Sequence, residues 1–217
     1  MNIKLYSYWR SSASYRVRIA LNLKQLEYEY VPVHLVNSGG EQKGDAYKGL
    51  NPSMLVPTFV DENEDVILNQ SLAIIEYLDE KYPSESPFLP QHSLDRARVR
   101  MIAQDVCCDI QPVSNLRVLN KLKSEFNANG DAVTKWSHDV IHAGFEAIES
   151  RLGTRAGKYA YGYDVTLADI CIVPQVYNAL RFEVDMSKFP TIHKVYNNCQ
   201  KLPAFIDAAP QNQLDAP

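Results

Sequence analysis

No apolar run in this 217-residue chain approaches the roughly 18 to 20 residues that cross a bilayer; even the quiet stretch from Ile170 to Leu180 holds Pro174, Gln175 and Asn178. A membrane partner is therefore not expected. Positive charge is not in excess either, with 22 Lys and Arg against 26 Asp and Glu, so nothing draws nucleic acid or an anionic surface to the chain as a whole. The opening residues lack the charged start and long apolar core of a secretory signal, and a cytoplasmic location is expected. Only four cysteines occur, Cys107, Cys108, Cys171 and Cys199, without Cys-x-x-Cys spacing, which fits packed thiols in a reducing compartment. The five histidines are scattered, and His138 and His142 enclose Asp-Val-Ile rather than the Glu of a zinc motif, so no metal is expected. Glycine and proline, at 9 and 12, are too few for a fibrous or low-complexity chain.

What is present is an ordinary globular balance, 46% hydrophobic and 22% charged, enough for two modest cores. The first third alternates two periods. A strand is predicted over Ile3–Tyr8, a helix over Ser12–Lys24, a strand over Tyr28–Leu35, a loop at Asn37–Gly40 and a short helix over Asp45–Leu50. Strands over Val56–Asp61 and Val66–Leu68 follow, then a helix from Ser71 to about Tyr82. Pro83, Pro87 and Pro90, mixed with Ser84, Glu85 and Ser86, read as a linker because proline stops helices and little here can be buried. Beyond it the strand period disappears, and helices are predicted over Leu94–Leu122, Ala132–Leu152, Thr166–Leu180 and Pro190–Lys201. The expected organisation is an α/β domain over 1–83 (βαβ then ββα), a linker over 84–90 and an all-α domain over 91–217.

Chemistry concentrates where the first strand turns into the first helix, at Arg10-Ser11-Ser12-Ala13-Ser14-Tyr15-Arg16. A helix N-terminus carries unsatisfied N–H groups and the positive dipole end, and serine hydroxyls there can donate to an anion such as a thiolate, or can simply cap the helix. Gln70-Ser71 has the same two readings at the start of a later helix: a cap, or a hydroxyl and N–H offered to a carboxylate. A nucleophilic serine is disfavoured because no Gly-x-Ser-x-Gly elbow occurs. Thr166-Leu167-Ala168-Asp169 has capping-box spacing and reads as a folding signal, and Asp105 and Asp109 are given no catalytic role.

The segment SSASYRVRIAL at Ser11–Leu21 resembles the zeta class of the glutathione transferases, and the likeness continues at Asn51-Pro52, Val56-Pro57, Gln70-Ser71-Leu72-Ala73-Ile74-Ile75-Glu76-Tyr77-Leu78, Ile110-Gln111-Pro112, Asn115-Leu116, Thr166–Asp169 and Val173-Pro174-Gln175-Val176. The resemblance implies a thioredoxin-like domain that binds glutathione, a helical domain that helps form the pocket for an acidic substrate, and a homodimer. It implies glutathione contacts from Ser11, Ser12, Ala13, Ser14, Tyr15, Arg16, Gln42, Val56, Gln70 and Ser71, and from Gln111, Asn115, Leu116 and Arg117, with Val56-Pro57 as the family's cis peptide. The activity implied is glutathione-dependent cis–trans isomerisation of a small acidic diketone, maleylacetoacetate, in tyrosine and phenylalanine breakdown. Ser11, with Ser12 beside it, would stabilise the thiolate; Arg10, Arg181 and Arg117 would bind the substrate, Arg10 and Arg181 also serving the reaction. Maleylpyruvate isomerisation, transfer to α-haloacids and a non-catalytic interaction role stand as alternatives. Where many members of the class carry Cys in the serine cluster this chain has Ala13, which leaves the reacting sulfur to glutathione alone.

Overall fold

Ile3, Leu5 and Ser7 are buried along the first strand, β1 (Ile3–Ser7), while Lys4 and Tyr6 between them stay partly open, the period-2 pattern of a strand with one covered face. Around it the computed structural model, which describes residues 2–84, 86–153 and 155–217, builds a four-stranded sheet in the order β2-β1-β3-β4. β2 (Glu29–Pro32) runs parallel to β1, with Leu5 opposite Tyr30; β3 (Thr58–Asp61) and β4 (Val66–Asn69) are antiparallel, with Leu5 opposite Phe59 and Phe59 opposite Leu68. The parallel pair needs a crossover, and α1 (Ser12–Leu23) supplies it. α2 (Asp45–Leu50) follows β2, and α3 (Ser71–Lys81) follows β4 and packs on α1. Leu5, Val17, Leu21, Phe59, Ile75 and Leu78 are fully excluded from solvent in this layer. The fold is that of a thioredoxin-like domain followed by helices.

The chain divides into two compact units, one of Met1–Glu85 with Lys201–Pro217 and one of Ser86–Gln200. The stretch 201–217, which the sequence reading gives to the helical domain, therefore belongs with the sheet. There α9 (Pro203–Asp207) packs on α1: the Tyr15 hydroxyl donates to Phe205 O at 3.2 Å and the Asn22 amide to Ala204 O at 3.1 Å. Glu85, inside the expected linker, lies outside the described residues.

The helical unit holds α4 (Ser93–Gln104), α5 (Leu116–Phe126), α6 (Gly130–Leu152), α7 (Leu167–Arg181) and α8 (Pro190–Cys199). The single helix predicted over Leu94–Leu122 is thus a correction: a π-helical turn, Asp105–Ile110, follows α4, and a break at 111–115 precedes α5. Pro112 has no N–H to continue the ladder, and the Asn115 side chain caps the new helix by accepting from Arg117 N at 3.1 Å. α7 is buried nearly all round, including Ile170, Ile172, Val173 and Val176, as a central helix must be. Its start is the expected capping box: Asp169 accepts from Thr166 N and Thr166 Oγ1, each at 2.9 Å, and from Ala160 N at 2.7 Å. The Cys107 and Cys171 sulfurs lie 3.7 Å apart. No helix among the described residues is long and apolar enough to cross a membrane.

Candidate functional site

After β1 the chain makes a tight turn in which Ser11 N donates to Tyr8 O at 2.9 Å, and α1 begins at Ser12. Ser11 is the N-cap; its Oγ accepts from Ser14 N at 3.2 Å. That bond uses an oxygen lone pair and leaves the hydroxyl proton available to an anion. The first-turn N–H groups of Ser12 and Ala13 have no partner within the helix, and no acidic side chain sits in this turn to neutralise the dipole. Ser12 and Ser14 are buried, Ser14 Oγ without a protein partner, while Ser11, Ala13 and Arg10 stay partly open. The Arg10 guanidinium lies 5.3 Å from the Trp9 ring centroid. The capping reading therefore holds at Ser11, whose hydroxyl still has a proton to donate.

A second helix N-terminus belongs to the same layer. Gln70, with φ 74° and ψ 114°, turns the chain out of β4, and its exposed side chain makes no cap bond. Ser71, the first residue of α3, does not cap with its side chain; its Oγ accepts from Arg16 Nη1 at 3.1 Å. Arg16 is 1% exposed, and its Nε and Nη2 find no protein acceptor. A buried guanidinium with spare donors, tied to a helix start free of acidic residues, has hydrogen-bonding capacity that a carboxylate can satisfy.

Between the two helix starts, in sequence, lie the other sheet-side candidates. Val56–Pro57 is a cis peptide, and the Val56 main-chain groups make no bond to the described protein. The loop that carries it is braced by buried polar side chains: Tyr47 Oη donates to Leu55 O at 2.6 Å, Asn51 Nδ2 donates to the same carbonyl at 2.6 Å, and Asn51 Oδ1 accepts from Ser53 N at 2.9 Å. Gln42 is buried with Oε1 unpartnered. Gly40 beside it has a φ of 101°, a conformation that side-chain-bearing residues rarely adopt.

The remaining candidates are in the helical unit. Gln111 follows the π-helical turn, Asn115 caps α5, Leu116 and exposed Arg117 open it, and exposed Arg181 ends α7 with its guanidinium 4.6 Å from the Phe182 ring centroid. Among the described residues no group of three His, Cys, Asp or Glu side chains is placed to hold a metal. Tyr47 and its bracing of the Val56 loop escaped the sequence reading; the only signal was an aromatic in a polar helix close to Asn51-Pro52.

Residues 10–81 match the family model for the glutathione S-transferase N-terminal domain. A probable maleylacetoacetate isomerase of Vibrio cholerae is 47% identical over 216 residues, covering 100% of this chain and 99% of that protein. The chain belongs to the zeta-class glutathione transferases. A bacterial zeta-class transferase solved as the holo form of maleylpyruvate isomerase aligns with a TM-score of 0.94 at 45% identity, over 99% of this chain and 100% of that one. A maleylacetoacetate isomerase of Anaeromyxobacter dehalogenans, solved with dicarboxyethyl glutathione and citrate in its active site, aligns with a TM-score of 0.87 at 37% identity, over 100% and 98% of the two chains. In this zeta-class transferase the acid-free helix starts, the buried Arg16 with two unpartnered nitrogens and the cis peptide at Val56–Pro57 all belong to the unit that carries the family match.

Proposed function

We propose that the chain is a glutathione-dependent cis–trans isomerase that converts maleylacetoacetate to fumarylacetoacetate. The observation that carries this reading is the buried Arg16–Ser71 pair at an acid-free helix start, with two Arg16 nitrogens still without an acceptor. Glutathione offers matching groups: two carboxylates, an amine, two peptide units and a thiol. Arg16, Gln70 and Ser71 fit its γ-glutamyl end, the Val56 main chain its cysteinyl unit, and Ser11 and Ser12 its sulfur, with Ala13, Ser14, Tyr15 and Gln42 completing the sheet-side set. When bound, glutathione supplies a thiolate that adds reversibly to the activated double bond, allows rotation about it and leaves unchanged.

This chain's own groups then have defined tasks. Ser11 donates its hydroxyl proton toward sulfur while its oxygen stays engaged by Ser14 N, and the α1 dipole favours the anion. Arg10, Arg117 and Arg181 serve the substrate's carboxylate and keto oxygens, where guanidinium groups form paired hydrogen bonds and offset charge that develops during addition. The roles of Gln111, Asn115, Leu116, Arg117 and Arg181 rest on the class resemblance. The same resemblance supports a homodimer, a cytoplasmic setting and a place in tyrosine and phenylalanine degradation. The dicarboxyethyl glutathione bound by the Anaeromyxobacter protein favours a diacid substrate; the maleylpyruvate isomerase neighbour supports a second reading in which the same site takes the shorter diacid.

Calorimetric titration with glutathione tests the binding half of the proposal. Wild type binds, and Ser71→Ala weakens binding about five- to tenfold, the loss of roughly 1 kcal/mol for one hydrogen-bonding partner, while kcat at saturating glutathione stays within about twofold. Absence of binding by wild type contradicts the proposal.

A further inference from the structure

The turn that presents Ser11 is held by groups distant in sequence. Its first carbonyl, Tyr8 O, accepts from Ser11 N at 2.9 Å and from Arg18 Nη1 at 3.4 Å. The next residue, Trp9, is fixed on both sides of its main chain: Trp9 O accepts from Arg18 Nη2 at 3.1 Å, and Trp9 N donates to Asp215 Oδ2 at 3.0 Å. The other Asp215 oxygen, Oδ1, accepts from Tyr30 Oη at 2.5 Å. Arg18 is fully buried and also donates from Nε to Ala208 O at 2.9 Å and from Nη1 to Ser7 Oγ at 3.1 Å. Main-chain groups in a turn are ordinarily left to solvent; here both polar groups of Trp9 are bonded to charged side chains, which make the stronger hydrogen bonds.

From this geometry we infer that Asp215 is a positioning residue for the reaction: through Trp9 N it sets the Tyr8–Ser11 turn, and so the direction of the Ser11 hydroxyl and the place of Arg10. The inference rests on the isomerase reading above. Asp215 touches neither sulfur nor substrate in this account; it acts through the peptide two residues before Ser11. Two observations separate the role from general stability. Its neighbour Leu214 is 86% exposed, so this stretch contributes little apolar burial, and Asp215 spends both carboxylate oxygens on the turn and on the β2 side chain Tyr30. A donor displaced by a fraction of an ångström still permits glutathione to bind through Arg16 and Ser71, yet serves the thiolate poorly.

The test compares wild type, Asp215→Ala, Asp215→Asn and Tyr30→Phe for thermal midpoint, glutathione affinity by calorimetry, kcat with maleylacetoacetate, and the ultraviolet thiolate absorbance of bound glutathione. Asp215→Ala is expected to bind glutathione within about threefold of wild type, to lose about tenfold in kcat and to show a smaller thiolate signal at neutral pH. Asp215→Asn, whose amide oxygen still accepts from Trp9 N, is expected to recover most of both. A folded Asp215→Ala protein with wild-type kcat and thiolate signal overturns the inference, as does equal loss in the Ala and Asn variants. Should Asp215→Ala fail to fold, Tyr30→Phe carries the test: reduced kcat with unchanged glutathione affinity supports the positioning role, and unchanged kcat overturns it. A wild type that binds no glutathione or turns over no substrate defeats the isomerase reading itself, a result distinct from all of these.

Discussion

Ser11→Ala lowers kcat for glutathione-dependent isomerisation by about 10- to 100-fold, the effect of removing one hydrogen bond worth about 1.5–3 kcal/mol to a charged acceptor. The bound thiol ionises at higher pH in this variant, because the α1 dipole and the first-turn N–H groups remain but the donor is gone. The same substitution removes the bond to Ser14 N, so the thermal midpoint also falls, in line with the roughly 1 kcal/mol value of an N-cap. Ser11→Thr separates the two losses from mere change at the site, since threonine keeps both cap and donor and is expected to retain most of the activity. Ser12→Ala, at a buried hydroxyl that is not the cap, is expected to cost less. Rate profiles against pH with the three variants check this; equal activity in Ser11→Ala and wild type contradicts the assignment of Ser11 as thiolate donor.

Asp169→Ala is the substitution expected to cost most in stability, about 3–5 kcal/mol, which is a large share of a typical domain's total. Asp169 is fully buried, and its removal leaves the N–H of Thr166, the N-cap of the central helix α7, and the N–H of Ala160 in the preceding segment without acceptors. Denaturant titration measures the loss. Burial pushes the Asp169 carboxyl up to about 6 from 3.8, against the opposing pull of the Ala160 and Thr166 donors. The folded state therefore holds this proton more tightly than the unfolded chain. The stability linked to it is complete below about pH 3.8 and is lost as pH rises toward about 6. In an Asp169→Asn protein that titration is absent, so the difference in stability, wild type minus variant, is expected to fall across this window and level off above it.

Much of this architecture is legible from local pattern. The strand signal around Ile3, Leu5 and Tyr6, the capping residues Ser11 and Thr166, and the change of period after Pro83 are local signals, and local signals survive into the structure. The parts that are not legible depend on distant partners. Arg18 sits in the run Arg16-Val17-Arg18-Ile19, where a charged side chain ordinarily reads as solvent-facing; its burial is set by Ala208, Ser7 and Trp9, which no spacing rule connects to it. The bond from Arg16 to Ser71, fifty-five positions away, is likewise one that no local spacing signals. Residues 201–217 carry helix signals that say nothing about which unit they pack on. The break before α5 was signalled by Pro112, but apolar residues on both sides keep a helical period and conceal it.

The central claim is that this fold turns glutathione into a catalyst for a cis-configured acidic diketone. The most direct measurement is the loss of maleylacetoacetate absorbance with and without glutathione, with maleylpyruvate followed in parallel. The expected result is turnover that requires glutathione, leaves its concentration unchanged and favours maleylacetoacetate. Stoichiometric consumption of glutathione, or no glutathione-dependent turnover of either diacid, would contradict it.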